Sequence, residues 1–328
     1  MAKTKNGKPE QVPLAVAPKD DAAAESEAAE SEAMERLVLH ASERKPAVIQ
    51  LIASAQREVA ISVFRCDDFG ILDELAAAVD RNVRVRALIT PAAKNWERRL
   101  RDLESFLQSM GAEVRRYAGA RSKYHAKYVV ADESRALVAS LNFTRKCFDE
   151  TCDFLVLTRE PDVVSSLLRL FEADSNNPDG GLPQNLSPDL IIGPELVRSR
   201  YLDLLGQAQR SIRIIDHRLS DPQMFAALRQ RQAAGVAVQL LGYGSLEGMV
   251  SHGRMMLIDE TTAIIGSTAL TPASLDERRE VGLVLRDPAN AARLKHFFDN
   301  LVRRRPENIT RLAEFADAEM FGNEDDEE

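Results

Sequence analysis

The sequence predicts an α/β protein of two related halves, each a mixed β-sheet flanked by helices, and two observations carry that prediction. The stretch His125-Ala-Lys127-Tyr-Val-Val-Ala-Asp132 returns 127 residues later as His252-Gly-Arg254-Met-Met-Leu-Ile-Asp259, and the match continues in register well beyond it. On both sides of the midpoint, β-branched runs alternate with segments of helical spacing in the same β-α-β order.

Taken in order, residues 1–36 are rich in Ala and acidic side chains, a composition that cannot repay the entropy of ordering, and are expected to be a disordered acidic tail. The first lobe is expected over 37–174, with strands at 59–64 and 83–89 around a helix at 71–79, short strands at 124–131, 137–139 and 154–157, and a helix over 163–171. Residues 175–194 hold Asn, Pro, Gly and Ser and read as a linker. The second lobe, 195–306, repeats the order at 212–215, 224–228 and 236–241. An acidic tail, 307–328, has helical spacing in its first part. Upstream of the motif the halves align at an offset of 153, matching Ala55-Gln56-Arg57 with Ala208-Gln209-Arg210 and Arg65 with Arg218. The two offsets differ by 26, so the first half carries an insertion between Leu88 and His125, most of it the helical-looking segment 92–110.

The formal charge is −8, but the tails hold −3 and −8, which leaves 37–306 at +3. Phosphate binding is therefore compatible with the core. Cys66, Cys147 and Cys152 have neither a disulfide pattern nor a metal-ligand spacing, which suits buried thiols in a reducing, cytoplasmic setting. No apolar run approaches the ~20 residues of a membrane span, so no integral membrane segment is expected.

In a strand, residues two apart share a face, so His125 and Lys127 point the same way, as do His252 and Arg254. An imidazole beside a fixed cation suits a phosphate. Asp132 and Asp259, seven residues after each histidine, face away and are assigned a structural role. Ser140, Asn142 and Ser267 follow the next strand and are neutral donors for phosphate oxygens. Asp153 and Glu280 each lie 28 residues after their histidine, and each can hold one imidazole in a defined tautomer. His40, His217 and His296 have no such surroundings and read as ordinary core or surface residues.

The pattern His-x-Lys-x4-Asp, then Gly-Ser-x-Asn and a carboxylate, resembles the phospholipase D superfamily over roughly residues 47–300. The first copy departs from it by Ala139 for Gly and Asp153 for Glu, the second by Arg254 for Lys and Ala269 for Asn. The resemblance implies two pseudo-twofold-related phospholipase D-like lobes with both histidines facing one phosphate, in a monomer that carries both half-sites. It implies a metal-independent and cofactor-free phosphodiesterase. His125 would be the nucleophile that forms a phosphohistidine, because its half keeps the fuller phosphate cradle. His252 would be the general acid and base, with Lys127 and Arg254 on the phosphate oxygens. Arginine keeps the charge at 254, and the amide lost at Ala269 weakens the cradle without removing the chemistry.

Substrate class is left open between phospholipid, slightly favoured, and nucleic acid, with a catalytically degenerate phosphate-binding scaffold as a third reading. The loop before His252 offers Tyr243, Leu246, Met249 and Val250 to a lipid surface. Arg115, Arg116, Arg121 and Lys123 cluster ahead of the first motif, as a polyanion would require. Arg65 and Arg218 either line the site or lie at the surface, and Lys94, Arg98, Arg99 and Arg101 read as a solvated helix face.

Overall fold

The computed structural model describes residues 33–242, 245–246, 248–304, 306 and 309–310. The first half runs β1 (Glu35–Val38), α1 (Ala41–Ala53), β2 (Glu58–Val63), α2 (Phe69–Asp80), β3 (Arg84–Ile89), α3 (Glu97–Ser109), β4 (Glu113–Arg116), β5 (Lys123–Tyr124), β6 (Tyr128–Ala131), β7 (Arg135–Ala139), α4 (Arg145–Asp149), β8 (Thr151–Cys152), β9 (Leu155–Thr158) and α5 (Pro161–Asn176). The second runs β10 (Leu190–Ile192), α6 (Val197–Gln207), β11 (Ser211–Ile215), α7 (Pro222–Ala233), β12 (Ala237–Leu241), β13 (Ser245–Leu246), β14 (Met249–Ser251), β15 (Arg254–Ile258), β16 (Thr262–Gly266), α8 (Pro272–Asp276), β17 (Arg278–Arg279), β18 (Val281–Leu285), α9 (Pro288–Arg304) and β19 (Ile309–Thr310).

Two seven-stranded mixed sheets share one strand order, β1-β9-β7-β6-β2-β3-β4 in the first half and β10-β18-β16-β15-β11-β12-β19 in the second. They differ at one edge. β4 is parallel to β3, whereas β19 is antiparallel to β12. A parallel neighbour needs a long crossover, and the insertion supplies one as α3; the second half has no such segment and borrows a strand from beyond α9.

Strand alternation sends apolar side chains to both faces. Val59, Ile61, Val129 and Leu137 join a core with α1, α2 and α3, whereas Ala60, Val130 and Val138 join a central core with Leu167 and Phe171 of α5 and Leu294 and Phe298 of α9. In the second half Ile212, Ile214 and Met256 pack under α6 and α7, while Ile215, Leu257 and Leu283 enter the same central core. The halves are thus joined by shared burial, at ~1.5–3 kcal/mol for each large aliphatic side chain.

Matched residues cap matched helices. Asp68 accepts from Ile71 N at 3.2 Å and Asp221 from Met224 N at 2.9 Å, at the starts of α2 and α7. Thr144 and Thr271 do the same for α4 and α8.

Three boundaries differ from expectation. Glu35 and Arg36, placed with the N-terminal tail by composition, open β1, where pairing with β9 satisfies their backbone. The expected linker yields its first two residues to α5 and residues 190–192 to β10, which pairs with β18. Ile309 and Thr310, expected in a partly helical tail, form β19; residues 1–32 and 311–328 lie outside the described residues. Among the described residues no helix is long and apolar enough to cross a membrane.

Candidate active site

Two short parallel strand pairings link the halves and set the geometry of the site. β5 pairs with β17 so that Tyr124 lies opposite Arg279, and the chain then places His125 beside Glu280. β14 pairs with β8 so that Ser251 lies opposite Cys152, and the next residues are His252 and Asp153. Backbone bonds hold both crossings, His125 N to Arg279 O at 3.0 Å and Gly253 N to Cys152 O at 2.7 Å. A Cβ on Gly253 would lie 2.5 Å from that carbonyl oxygen, so the approach requires glycine.

Each carboxylate therefore serves the histidine of the other half. His125 Nδ1 donates to Glu280 Oε1 and Oε2 at 3.0 and 2.9 Å, and His252 Nδ1 donates to Asp153 Oδ2 at 2.8 Å. With Nδ1–H committed to a carboxylate, Nε2 of His125 carries the lone pair, and Lys127 Nζ lies 2.9 Å from it. Both carboxylates are fully buried. Burial would raise Asp153, but His252 and the hydroxyls of Ser140 and Thr151 outweigh it and hold the carboxyl well below its usual range. Glu280 likewise ends below its ordinary value, burial being outweighed by His125, Lys127 and Arg278.

The serines have a different task from the one expected. Ser140 Oγ donates to Asp153 Oδ1 at 2.6 Å and accepts from Phe154 N, and Ser267 Oγ donates to Glu280. Their single hydrogens are spent on the carboxylates rather than directed at a phosphate. The sequence missed Thr151 and Ser274, which complete the two carboxylate cages at 2.5 and 2.6 Å. Ser274 matches Cys147 in the repeat, not Thr151, so the register hid that equivalence. Lys127 Nζ and Arg254 Nη1 each also donate to the carbonyl of their own histidine, at 2.8 and 2.6 Å. Asn142 is buried, and its Oδ1 has no hydrogen-bond partner.

Asp132 and Asp259 turn to the ends of β2 and β11. With φ of 53° and 52°, they accept from three successive backbone N–H groups each, those of Gln56, Arg57 and Glu58 and of Gln209, Arg210 and Ser211. Sequence reasoning also missed His217. It takes the place of Phe64 in the repeat, and each ring packs on the motif histidine of its half: Phe64 edge-on to His125 at 4.8 Å, His217 near-parallel to His252 at 6.3 Å. Burial, then the charges of Arg254, His252 and Arg218, lower His217 to about 2, so it is a neutral imidazole.

Among the described residues, one group has spacing close enough for a metal, Cys147, Asp153 and His252. The donors do not fit one. Asp153 is enclosed by three hydrogen bonds, His252 Nδ1 donates to it, and burial pushes the Cys147 thiol up to about 11, which leaves it protonated at neutral pH.

A cleft of about 630 Å³ opens on His125, with Arg65, Lys94, Arg121, Lys123 and Arg278 among its walls. A smaller one of about 330 Å³ lies at Asn142 and shares Arg65 and Lys94 with it. The expected helix face is thereby divided: Arg98 pairs with Asp102 on the solvated side, while Lys94 belongs to both clefts. Arg116 is paired with Glu104. The apolar loop expected before His252 is partly withdrawn, since Leu246 lies in the central core; Val250 is exposed, and Tyr243 lies outside the described residues.

The family described as "Cardiolipin synthase, PLD-like domain" matches residues 48–175 and 243–302. Among solved structures, polyphosphate kinase from Porphyromonas gingivalis superposes with a TM-score of 0.67 at 17% identity over 82% of this chain. The chain spans about half, 50%, of that kinase. Phosphatidylserine synthase from Haemophilus influenzae Rd KW20 superposes with a TM-score of 0.64 at 13% identity, covering 87% of this chain and 88% of its own. At these identities the likeness is one of fold. No curated protein matches the sequence.

Proposed function

The chain belongs to the phospholipase D superfamily, and from that premise we propose that it is a metal-independent phosphodiesterase, hydrolysing or transferring a phosphodiester through a phosphohistidine. The observation that carries the reading is the reciprocal exchange of carboxylates, which prepares both imidazoles for opposite tasks. Nε2 of His125 attacks phosphorus, and the P–O bond to the leaving group breaks as that oxygen takes a proton from His252. Water or an alcohol then gives its proton to His252 and attacks phosphorus, the P–N bond breaks, and His125 is released. Ionised Asp153 compensates the charge of protonated His252. Lys127 moves from His125 Nε2 to the phosphate oxygens when substrate enters, and Arg254 and Asn142 complete the cradle.

The chemistry is the same for a phospholipid or a nucleic acid. The withdrawal of Leu246 removes part of the sequence argument for lipid, and the cations around the cleft favour a more highly charged substrate.

The reading is tested with a small chromogenic phosphodiester in excess chelator. Turnover should survive chelation and fall by at least about 10³-fold in both His125→Ala and His252→Ala. Acid-labile label from a phosphorus-labelled substrate should map to His125. Turnover indifferent to both substitutions would defeat the proposal, and label on His252 would reverse the two roles.

A further inference from the structure

The insertion does more than add β4 to a sheet edge. It leaves β3 as Thr90–Lys94, forms α3 and β4, and returns as Gly119–Lys123, so that both of its ends line the larger cleft. Phe64, Tyr124 and His125 line it as well, together with Glu277 and Arg278 of the other half. Five cations, Arg65, Lys94, Arg121, Lys123 and Arg278, line this space against one carboxylate. The smaller cleft continues it past Arg65 and Lys94 to Arg99 and Lys146, with Asp67 as its carboxylate.

Arg65 stands at the junction and is held there. Its guanidinium lies 5.2 Å from the Phe64 ring centroid and 5.5 Å from that of Trp96, and Nη2 donates to Lys94 O at 3.1 Å. Trp96 and Lys94 both belong to the insertion, so that segment fixes Arg65 as well as adding cations of its own. Nothing in the second half aligns with it, and Arg218, the counterpart of Arg65, has no residue matching Trp96 in the repeat.

We infer that the insertion-built cleft is a second anion subsite, which takes a further phosphate of the same substrate while the scissile phosphate lies at His125. The inference rests on the phosphodiesterase reading and adds the substrate's form: a chain with a phosphate on each unit, as in a single nucleic-acid strand. The cleft has the volume of a small-molecule site, much more than one phosphate needs. Its cations come from separate segments: Arg65 after β2, Lys94 and Arg121 with Lys123 at the two ends of the insertion, and Arg278 of the other half. A lipid drawn from a bilayer needs apolar side chains around the entrance, yet the exposed large apolar residues among those described, Met34, Phe69, Phe106 and Val250, line neither cleft. Arg121 and Lys123 are exposed, so the extra binding is salt-sensitive.

The test uses two thymidine nitrophenyl phosphodiesters that differ only in a second phosphate on the far hydroxyl. At low salt the added phosphate should raise kcat/KM by about ten-fold, and the preference should shrink at physiological ionic strength. In the double variant Arg121→Ser/Lys123→Ser the ratio between the two diesters should fall close to one. An intact protein that treats the diesters alike, or a preference that survives in the variant, would overturn the subsite. If neither diester turns over, the phosphodiesterase reading has failed, and the subsite is then read by anisotropy of a fluorescent single-stranded oligonucleotide. Binding weakened by the double variant supports the inference, and absent or unaltered binding rejects it. Binding to anionic phospholipid vesicles that the double variant weakens, with no binding of the oligonucleotide, would assign the cleft to a membrane and also overturn it.

Discussion

The two halves of the molecule build the same site twice, and they differ in what surrounds each copy. His125 is edge-on to Phe64, touches Lys127 and opens onto a basic cleft lined in part by the insertion. His252 lies against a second imidazole, has Arg254 in place of lysine and Ala269 in place of an amide, and is held by the shorter carboxylate, Asp153. Duplication supplied two equivalent imidazoles. On the proposed mechanism, their division into nucleophile and acid–base partner would come from the unequal surroundings.

The largest effects should come from breaking the exchanged pairs. Glu280→Gln and Asp153→Asn each keep the shape while removing the charge that fixes a tautomer, and each should lower turnover by about 10³- to 10⁴-fold. The intermediate separates the halves: Glu280→Gln should block formation of the phosphohistidine, while Asp153→Asn should let it form with a good leaving group and then persist. Rapid-quench trapping checks this, and identical behaviour of the two variants would mean that the halves are interchangeable. Next in size are the cations. Lys127→Ala should cost about 10²-fold in kcat/KM. Arg254→Lys should cost less than ten-fold, because the charge stays while the Nη1 bond to the His252 carbonyl is lost.

Much of this arrangement was legible in the sequence, because a repeat converts weak local signals into paired ones. The β-α-β alternation is read from apolar periodicity, and the position of the insertion and the matching of motif histidines and carboxylates between halves from two offsets. Which carboxylate serves which histidine did not follow, because it depends on β5–β17 and β8–β14, two-residue contacts between halves with no periodicity to read. The roles of Ser140 and Ser267 were misassigned for a related reason: a hydroxyl near a phosphate site is equally suited to a buried carboxylate, and only geometry decides. His217 was passed over as a lone histidine, although its alignment with Phe64 at the offset of 153 was available as a signal.

That alignment leads to a pH experiment on the asymmetry itself. A folded-state value lowered to about 2 means that the unfolded chain binds a proton below its ordinary value of 6.5 while the native His217 refuses it. The histidine therefore costs nothing above neutrality, and its presence destabilises the fold progressively as pH falls from about 6.5. His217→Phe, which copies the Phe64 arrangement, should remove about 2 kcal/mol of acid destabilisation at pH 4.5 and leave stability at pH 8 nearly unchanged. Urea titrations at the two pH values measure the difference. A variant that loses stability equally at both would show that the imidazole contributes packing alone.

The smallest effect expected is also the strictest check on the equivalence of the halves. Burial would raise Asp132 and Asp259, but three backbone N–H groups each outweigh it and lower both carboxyls. A lowered carboxylate stabilises the fold above its unfolded value, near 4, and loses that contribution as pH falls through the lower native value. Asp132→Asn and Asp259→Asn should therefore each cost about 1 to 2 kcal/mol at pH 7, with the deficit starting to close below about pH 4 and gone once pH has fallen through the lower native values. Because each carboxylate joins the end of a motif strand to the start of β2 or β11, and neither touches a motif histidine, the two losses should match within about 0.5 kcal/mol. A clearly larger loss for Asp132 would place the difference between the halves in the scaffold itself, with the insertion loading the first sheet more heavily, rather than only in the side chains around the two imidazoles.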